Sequence, residues 1–427
     1  MENSILIRGG RVIDPKNGVD QIADVLVLDG KIAAIGEGLS AQGVQVMEAA
    51  GKVVAPGFID MHCHLRDPGQ EYKEDLITGT KAAARGGFTG VCCMPNTKPV
   101  NDNAAVTRYI LEKAQTKGSG VHVYPVGAIS KDLEGKEMAE IGRMKAAGII
   151  AISDDGKPVS NSNLLRLAMQ YADHFGVFIM SHSEDKNLVG DGVMNEGFIS
   201  TKLGLPGTTR AAEEVMIARD ILVAEAEGKR IHLCHVSTKG GVQLVREAKA
   251  RGVRVTAETA PHYIGATDEW VLGYDSNCRV NPPLREETDR MACIAGLVDG
   301  TIDVIATDHA PHHEDEKRVE FHIAASGISG FETAFCVSNT ELVRAGHMTL
   351  PQLIEKMSTK PAQLLGVPGG ELTIGSAADV VVLDPQKEIT VDVSKFVSKG
   401  HNTPFNGHTY FGAVCATIVG GRVIDRQ

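Results

Sequence analysis

The chain has 427 residues, of which 43% are hydrophobic and 23% are charged. This is an ordinary globular composition with ample apolar material for a core. The formal net charge of −11 argues against a nucleic-acid or anionic-membrane partner. It does not exclude an anionic substrate, because one arginine can dominate the charge of a pocket.

The cysteine pattern and the first residues indicate the compartment. The eight cysteines form no C-x-x-C pair, and several lie within apolar, strand-like runs such as GVCCMP. Free buried thiols in a reducing cytosol are therefore expected, rather than a disulfide framework or a zinc ribbon. The start ENSILIRGG lacks the basic and apolar regions of a signal peptide, and no run of about 18 apolar residues suggests a membrane span. We therefore predict a soluble cytoplasmic protein.

Both ends of the chain carry short β-strand patterns. Residues 1–55 contain Val- and Ile-rich runs that are broken by Gly and Asp-Gly turn signals. Residues 366–427 repeat this pattern, and their GGRVID matches the RGGRVID near the start. We predict one small β-sandwich domain formed by both termini, with residues 56–365 inserted between its two parts.

The middle of the chain alternates apolar runs with segments of helical periodicity. Eight near-continuous apolar strands, each followed by a helix, predict a parallel sheet closed into a (β/α)8 barrel of the TIM type. An open doubly wound sheet is the alternative, but no G-x-G-x-x-G follows any strand, so dinucleotide binding loses support. The predicted strand segments are 58–64, 89–96, 121–128, 149–155, 177–182, 230–237, 253–262 and 303–312.

Metal-type ligands recur where five of these strands end. In such a barrel the carboxyl ends of all strands converge on one mouth. Strand periodicity directs the two histidines of the first strand to the same side, whereas the adjacent Asp154 and Asp155 face opposite ways. Histidine and carboxylate ligands suit zinc or a similar divalent ion, and two ions that share a carboxylate would activate water and polarise a carbonyl. The candidates are His62, His64, Asp154 or Asp155, His182, His235 and Asp308.

Together these motifs resemble those of the dihydroorotase family, within the amidohydrolase superfamily of cyclic amidases. The resemblance implies a metal-bearing barrel with a small β domain. It also implies the reversible cyclisation of N-carbamoyl-L-aspartate to (S)-dihydroorotate in pyrimidine biosynthesis by a zinc-dependent enzyme, with one or two Zn²⁺ per subunit and two expected. The motifs are DMHCHLRDPG, MPNTKPV, SDDG, SHSED, CHVST, NPPLR and TDHAPH.

The sequence departs from many relatives at the fourth strand. Those relatives bridge their metals with a carboxylated lysine, and IIAISDDG contains no lysine. The chain is similar instead to the branch in which the second Asp of DDG bridges, so we prefer Asp155 to Asp154. An Asp bridge is shorter than a carboxylated lysine, which leaves the occupancy of the second metal position open. Lys157, just beyond the strand, is interpreted as a solvated loop charge.

The remaining motif residues are assigned to the substrate and to proton transfer. The planar fork of Arg66 suits a bidentate hold on the ring carboxylate, and Asp308 is expected to act as general base and then acid. The segment 312–332 is expected to be a loop that can fold over the mouth. By the resemblance, the substrate-binding residues are His64, Arg66, Asn96, Asn281, His312 and the backbone of Ser326 and Gly327.

Two other functions compete with this prediction. The first is another cyclic amidase (a hydantoinase, dihydropyrimidinase or allantoinase), whose substrate would lack the ring carboxylate that Arg66 is expected to hold. The second is a non-catalytic, dihydroorotase-like partner of aspartate transcarbamoylase, which would be expected to lose metal ligands that this chain keeps. A homodimer, and an active enzyme in complex with aspartate transcarbamoylase, are both compatible with the sequence.

Overall fold

The computed structural model describes residues 3–40 and 42–427, and two eight-stranded sheets organise them. One sheet is parallel and follows the chain order; the other combines strands from both ends of the chain. The strands are β1 Ile5–Asp14, β2 Val19–Leu28, β3 Lys31–Gly36, β4 Gln45–Glu48, β5 Val53–Pro56, β6 Phe58–Cys63, β7 Phe88–Cys93, β8 His122–Gly127, β9 Ala151–Ile152, β10 Ile179–Ser181, β11 Met194–Asn195, β12 Gly207–Thr208, β13 Ile231–Leu233, β14 Val255–Thr259, β15 Val304–Ile305, β16 Val380–Thr390, β17 Thr409–Val419 and β18 Arg422–Arg426.

The parallel sheet forms a nearly closed barrel. Its order is β6, β7, β8, β9, β10, β13, β14 and β15, and a parallel bridge between Cys63 and His309 joins the first strand to the segment after the last. Every residue of β6 and β7 is buried, as expected for strands that are covered on both faces. The predicted barrel is confirmed, since each of the eight predicted segments overlaps one of these strands.

The second sheet joins the two termini. Its order is β18, β17, β16, β5, β1, β2 and β3, and β4 also pairs with β1. The antiparallel pairing of β16 with β5 places residues 380–383 against residues 53–56. Side chains such as Ile7, Val54 and Val382 form its separate hydrophobic core. An extra sheet made from both termini is therefore confirmed, whereas the exact domain boundaries stay a prediction.

Helices surround the barrel, and side-chain caps begin several of them. Asp75 caps α1 and Asn161 caps α4 by accepting hydrogen bonds from the backbone of the first turn. In the described part of the chain, no helix has both the length and the apolarity needed to cross a membrane. The α-helices are α1 Leu76–Arg85, α2 Ala104–Lys117, α3 Ile141–Ala147, α4 Ser162–His174, α5 Lys186–Val189, α6 Phe198–Leu203, α7 Ala211–Glu227, α8 Lys239–Ala250, α9 Pro261–Gly265, α10 Glu287–Asp299, α11 Glu314–Lys317, α12 Ala334–Ser338, α13 Leu350–Ile354 and α14 Lys360–Leu365.

Candidate active site

All six preferred metal-ligand candidates meet at the carboxyl ends of the barrel strands. Each is almost completely buried, with at most 6% of its surface exposed. Two of them, together with Arg66, have a positive φ: 60° at Arg66, 37° at His235 and 46° at Asp308. Such backbone conformations cost free energy and concentrate at functional sites. We call these six residues the metal cluster: His62, His64, Asp155, His182, His235 and Asp308.

Asp155 lies at the centre of this cluster. Its Oδ1 is 3.3 Å from Nε2 of His62, 3.2 Å from Nδ1 of His182 and 3.6 Å from Nε2 of His235. Its Oδ2 is 3.4 Å from Nε2 of His64. In the described residues, two of the three sets of ligand atoms that are compact enough to hold an ion contain Asp155: one with His62 and His64, the other with His182 and His235.

Asp154 points away from the cluster. Its Oδ1 accepts hydrogen bonds from the backbone N–H groups of Ile129 and Ser130, at 2.8 and 3.0 Å. Its Oδ2 accepts another from the hydroxyl of Ser130. Asp154 therefore anchors the loop that follows β8, and its neighbour Asp155 faces the barrel mouth.

Glu258, at the end of β14, orients His62. Its Oε1 lies 2.7 Å from Nδ1 of His62, and its Oε2 lies 3.0 Å from Nε2 of His232. Because Nδ1 is engaged there, Nε2 of His62 faces the carboxylates of the cluster. Within residues 3–40 and 42–427 this buried Nε2 has no hydrogen-bond partner.

The charges of the cluster favour a cation. Burial by itself lowers the pKa of His62. The negative charge of Asp155 makes the largest of the opposing contributions, and together these raise the pKa well above its usual value. Burial raises the pKa of Asp308, but the charge of His62 and the hydrogen bond from His64 bring it down to about 2. The carboxylates are thus ionised among imidazole nitrogens. With the orphaned Nε2 of His62, this donor set fits a divalent metal ion.

The cysteines near the cluster are poor candidates for metal ligands. Cys234 lies close to His62 and Glu258, but burial raises the pKa of its thiol, which disfavours the thiolate that a metal binds. Cys63, between the two histidines of β6, donates its S–H to the carbonyl of Cys92 at 3.2 Å and is packed within the sheet. All eight cysteines, which lie within the described ranges, are buried and free.

A cavity of about 340 Å³ opens beside the metal cluster. Burial and the positive charge of Arg66 lower the pKa of His312 to about 2, so its imidazole is neutral. Nε2 of His312 lies 2.9 Å from the carbonyl of Ser326 and donates to it. It therefore does not accept from Nη2 of Arg66, 3.3 Å away, which stays available for an anion. The predicted substrate residues that line the cavity are His64, Arg66, Asn96, Asn281, His312, Ser326 and Gly327.

Asn96 connects the cavity with the metal cluster. Its Oδ1 lies 2.9 Å from Nδ1 of His64, and its Nδ2 lies 3.4 Å from Oδ2 of Asp155. This contact turns Nε2 of His64 towards Asp155 and towards Asp308, whose Oδ1 is 3.2 Å away. Asn96 therefore holds a histidine of the cluster in place at the edge of the cavity.

Comparison with known proteins decides the family. A dihydroorotase from Trichlorobacter lovleyi is 55% identical to this chain over 422 residues, which is 99% of each protein. This chain belongs to the dihydroorotase family. A second dihydroorotase, from Pelotomaculum thermopropionicum, is 56% identical over 420 residues and 98% of each protein. A family profile described as dihydro-orotase-like matches residues 51–241.

Solved structures resemble this dihydroorotase-family chain over almost its whole length. An L-hydantoinase (dihydropyrimidinase) from Arthrobacter aurescens has a TM-score of 0.88 at 26% identity, covering 99% of this chain and 96% of its own. A dihydropyrimidinase from Brevibacillus agri NCHU1002 has a TM-score of 0.85 at 25% identity, covering 99% and 95%. The dihydroorotase-family chain thus shares its fold with hydantoinases.

Sequence reasoning missed several residues around the site of this dihydroorotase-family chain. Glu258 was recognisable only as a carboxylate inside the apolar run VRVTAETAPH. Glu184 follows SHS and lines the cavity, where its Oε2 lies 3.3 Å from Nε2 of His182. Lys317, whose side chain is buried, is one of many charged residues in a hydrophilic segment. His313 and His322 do not line the cavity, and His322 is exposed.

Proposed function

We propose that this chain catalyses the reversible cyclisation of N-carbamoyl-L-aspartate to (S)-dihydroorotate in UMP biosynthesis, with zinc at the mouth of the barrel. One observation carries the proposal. The buried guanidinium of Arg66 opens into the same small cavity as the metal cluster. A cyclic amide with a ring carboxylate has both features that this arrangement recognises.

Imidazole and carboxylate ligands support zinc as the metal, and the central place of Asp155 supports two ions per subunit. His62 and His64 would hold one ion, His182 and His235 the other, and Asp155 would contribute to both. When bound there, zinc lowers the pKa of water and polarises a carbonyl group. Asp308, beside His64, would complete the site.

The residues of the chain have separate tasks in this reaction. Arg66 binds the ring carboxylate, assisted by Asn96 and the neutral His312. Asn281 and the backbone of Ser326 and Gly327 orient the ring. Fixing the ring in this way places the scissile amide against the metal cluster and lowers the entropic part of the barrier. We assign specificity to these contacts and not to the cluster, which a related cyclic amidase would share.

Asp308 moves the proton in both directions. In hydrolysis it accepts the proton of the attacking water and delivers it to the amide nitrogen as the C–N bond breaks. In cyclisation it accepts the proton of the attacking carbamoyl nitrogen and delivers it to the oxygen that leaves the β-carboxyl group. The lowered pKa of Asp308, about 2, keeps it ionised and ready to act as a base at neutral pH.

The competing functions have less support. Hydantoin carries no ring carboxylate and would leave Arg66 buried without an anion. The L-hydantoinase from Arthrobacter aurescens and the dihydropyrimidinase from Brevibacillus agri are 25–26% identical to this chain, whereas the dihydroorotases from Trichlorobacter lovleyi and Pelotomaculum thermopropionicum are 55–56% identical. A non-catalytic partner of aspartate transcarbamoylase has no need for the six clustered ligands.

We extend the proposal to the organisation of the protein. Residues 1–55 and 366–427 would form the small β domain, and residues 56–365 the catalytic barrel. We place the protein in the cytoplasm, with a small-molecule substrate and without a nucleic-acid or membrane partner. Sizing of the purified protein, alone and mixed with aspartate transcarbamoylase, tests whether it forms a homodimer or a complex with that enzyme.

The test of the function is an assay of both directions with purified protein and added zinc, with metal content measured on the same sample. We expect turnover of dihydroorotate and N-carbamoyl-L-aspartate and none of hydantoin. Arg66→Ala should lower kcat/KM by about 30- to 1,000-fold, because a charge-assisted pair with the substrate is lost. Arg318→Ala, which removes an exposed arginine from the same region, is the matched control. A metal-loaded protein that turns over hydantoin but not dihydroorotate would refute the proposal.

A further inference from the structure

Lys317 carries a buried ammonium group behind the substrate cavity. It ends α11 and is only 4% exposed. Its Nζ donates to three backbone carbonyls: Arg279 at 3.2 Å, Ala325 at 2.8 Å and Gly327 at 3.3 Å. The three donors of an ammonium group are thereby used. Among the residues that the structure describes, Lys317 forms no ion pair with a carboxylate.

The three carbonyls belong to two segments that line the cavity. Arg279 precedes Asn281 by two residues, and Ala325 and Gly327 flank Ser326. The segments also touch directly, since the N–H of Gly327 donates to the carbonyl of Arg279 at 2.9 Å. The ammonium group of Lys317 and this direct hydrogen bond together hold the separation between the Asn281 segment and the Ser326–Gly327 segment.

Burying the ammonium group of Lys317 costs free energy, which indicates that the group is kept because it positions the segments around it. Burial of an ammonium group without a counter-ion is unfavourable, and burial lowers the pKa of Lys317 to about 7. The charged and titratable groups that act on it are Arg279, which disfavours its charge, and Asp275 and Cys278, which favour it. An apolar side chain of equal length would avoid the cost of burial but would leave the carbonyls without their shared donor.

We propose that Lys317 is a positioning residue that sets the spacing of the two ring-binding segments and so pre-organises the cavity for the dihydropyrimidine ring. This inference rests on the proposed function. Within the described residues, the ammonium group of Lys317 donates only to these backbone carbonyls and makes no hydrogen bond to any of the six candidate metal ligands. Its effect therefore falls on substrate binding, shared by the ground state and the transition state, and not on the chemical step.

The test compares Lys317→Met with Lys356→Met. Lys356 is a second buried lysine, 8% exposed, whose Nζ donates to the carbonyl of Ile302 at 2.7 Å, at the amino end of β15 and thus away from the mouth. We expect Lys317→Met to raise KM for dihydroorotate by about five- to fifty-fold, with kcat and metal content within about twofold of wild type. Lys356→Met should leave KM unchanged.

The outcomes separate this inference from the proposed function. A wild-type protein without turnover would overturn the proposed function and the inference with it. An active wild type with an unchanged KM in folded Lys317→Met would overturn the inference alone, and so would a loss of kcat accompanied by loss of metal. If Lys317→Met is not recovered folded, Lys317→Gln, which keeps two N–H donors, is judged by the same KM criterion.

Discussion

Nδ1 of His62 lies 2.7 Å from Oε1 of Glu258, beneath the metal cluster. Burial raises the pKa of Glu258, but hydrogen bonds from His232 and His62 outweigh burial and the pKa ends well below its usual value. Glu258 is therefore an ionised acceptor that holds the proton of His62 on Nδ1. Nε2, which faces the cluster, is therefore the nitrogen that a metal ion would bind in place of a proton.

Glu258→Gln is expected to weaken metal binding by about 10- to 100-fold, because a neutral amide holds the imidazole less firmly and makes it a poorer ligand. Equilibrium dialysis of the variant against increasing chelator, followed by metal analysis, measures this. Glu269→Gln, at an exposed glutamate, is the control. Wild-type metal affinity in Glu258→Gln would show that the contact does not support the site.

Asp155→Asn and Asp154→Asn should differ sharply although the residues are adjacent. Asp155 contributes to both sets of ligand atoms, so its amide variant should lose most of its bound metal. Asp154→Asn keeps an acceptor oxygen for the N–H groups of Ile129 and Ser130. We expect it to retain metal and to change the free energy of unfolding by less than about 1 kcal/mol. The metal content of the two purified variants is the measurement that distinguishes them. Loss of metal in Asp154→Asn but not in Asp155→Asn would assign the bridge to Asp154.

Asp308→Asn is expected to lower kcat by about 10²- to 10⁴-fold, since the amide cannot accept the proton of the nucleophile. KM should change less, because Arg66 and the ring-binding segments are untouched. Steady-state kinetics at saturating substrate provide the measurement, and Asp315→Asn, at an exposed carboxylate shortly after the same strand, is the control. If the variant keeps kcat within tenfold of wild type, Asp308 does not transfer the proton.

Glu332 predicts a dependence of stability on pH. Its Oε1 accepts from the N–H groups of Val397 and Ser398 at 2.8 and 3.0 Å, and burial raises its pKa from 4.5 to about 7. The folded chain therefore keeps a proton on this group that the unfolded chain has lost. Its contribution to stability is fully present below pH 4.5 and is lost as the pH rises through 7.

Glu332→Gln keeps the acceptor oxygen but never ionises. We expect it to unfold at the same urea concentration as wild type near pH 4.5 and to be more stable at pH 8, by up to about 3 kcal/mol. Urea titrations at the two pH values test this, with exposed Glu388→Gln as the control. An equal difference at both pH values would show that the carboxyl group does not titrate as described.

The fold could be predicted because most residues of the barrel strands are buried, so that the strands appear as apolar runs. The lengths of the strands could not be predicted, since β9 and β15 have only two residues each. The segments that contain them continue into Asp155 and Asp308, which leave the ladder to reach the mouth, and Asp308 does so with a φ of 46°. A propensity pattern does not record where the backbone turns out of a sheet.

The sequence by itself determined the family, the barrel and the ligand candidates, because spacing along a strand sets which side chains share a face. His62 and His64 are the clearest example. Only the tertiary structure decided that Asp155 faces the cluster, that Glu258 orients His62 and that Lys317 joins two cavity segments. Each of these contacts connects residues that are distant in the chain, or depends on the rotation of one strand end. Such contacts arise from packing, which brings separate strand ends and loops to one mouth, and no local pattern encodes them.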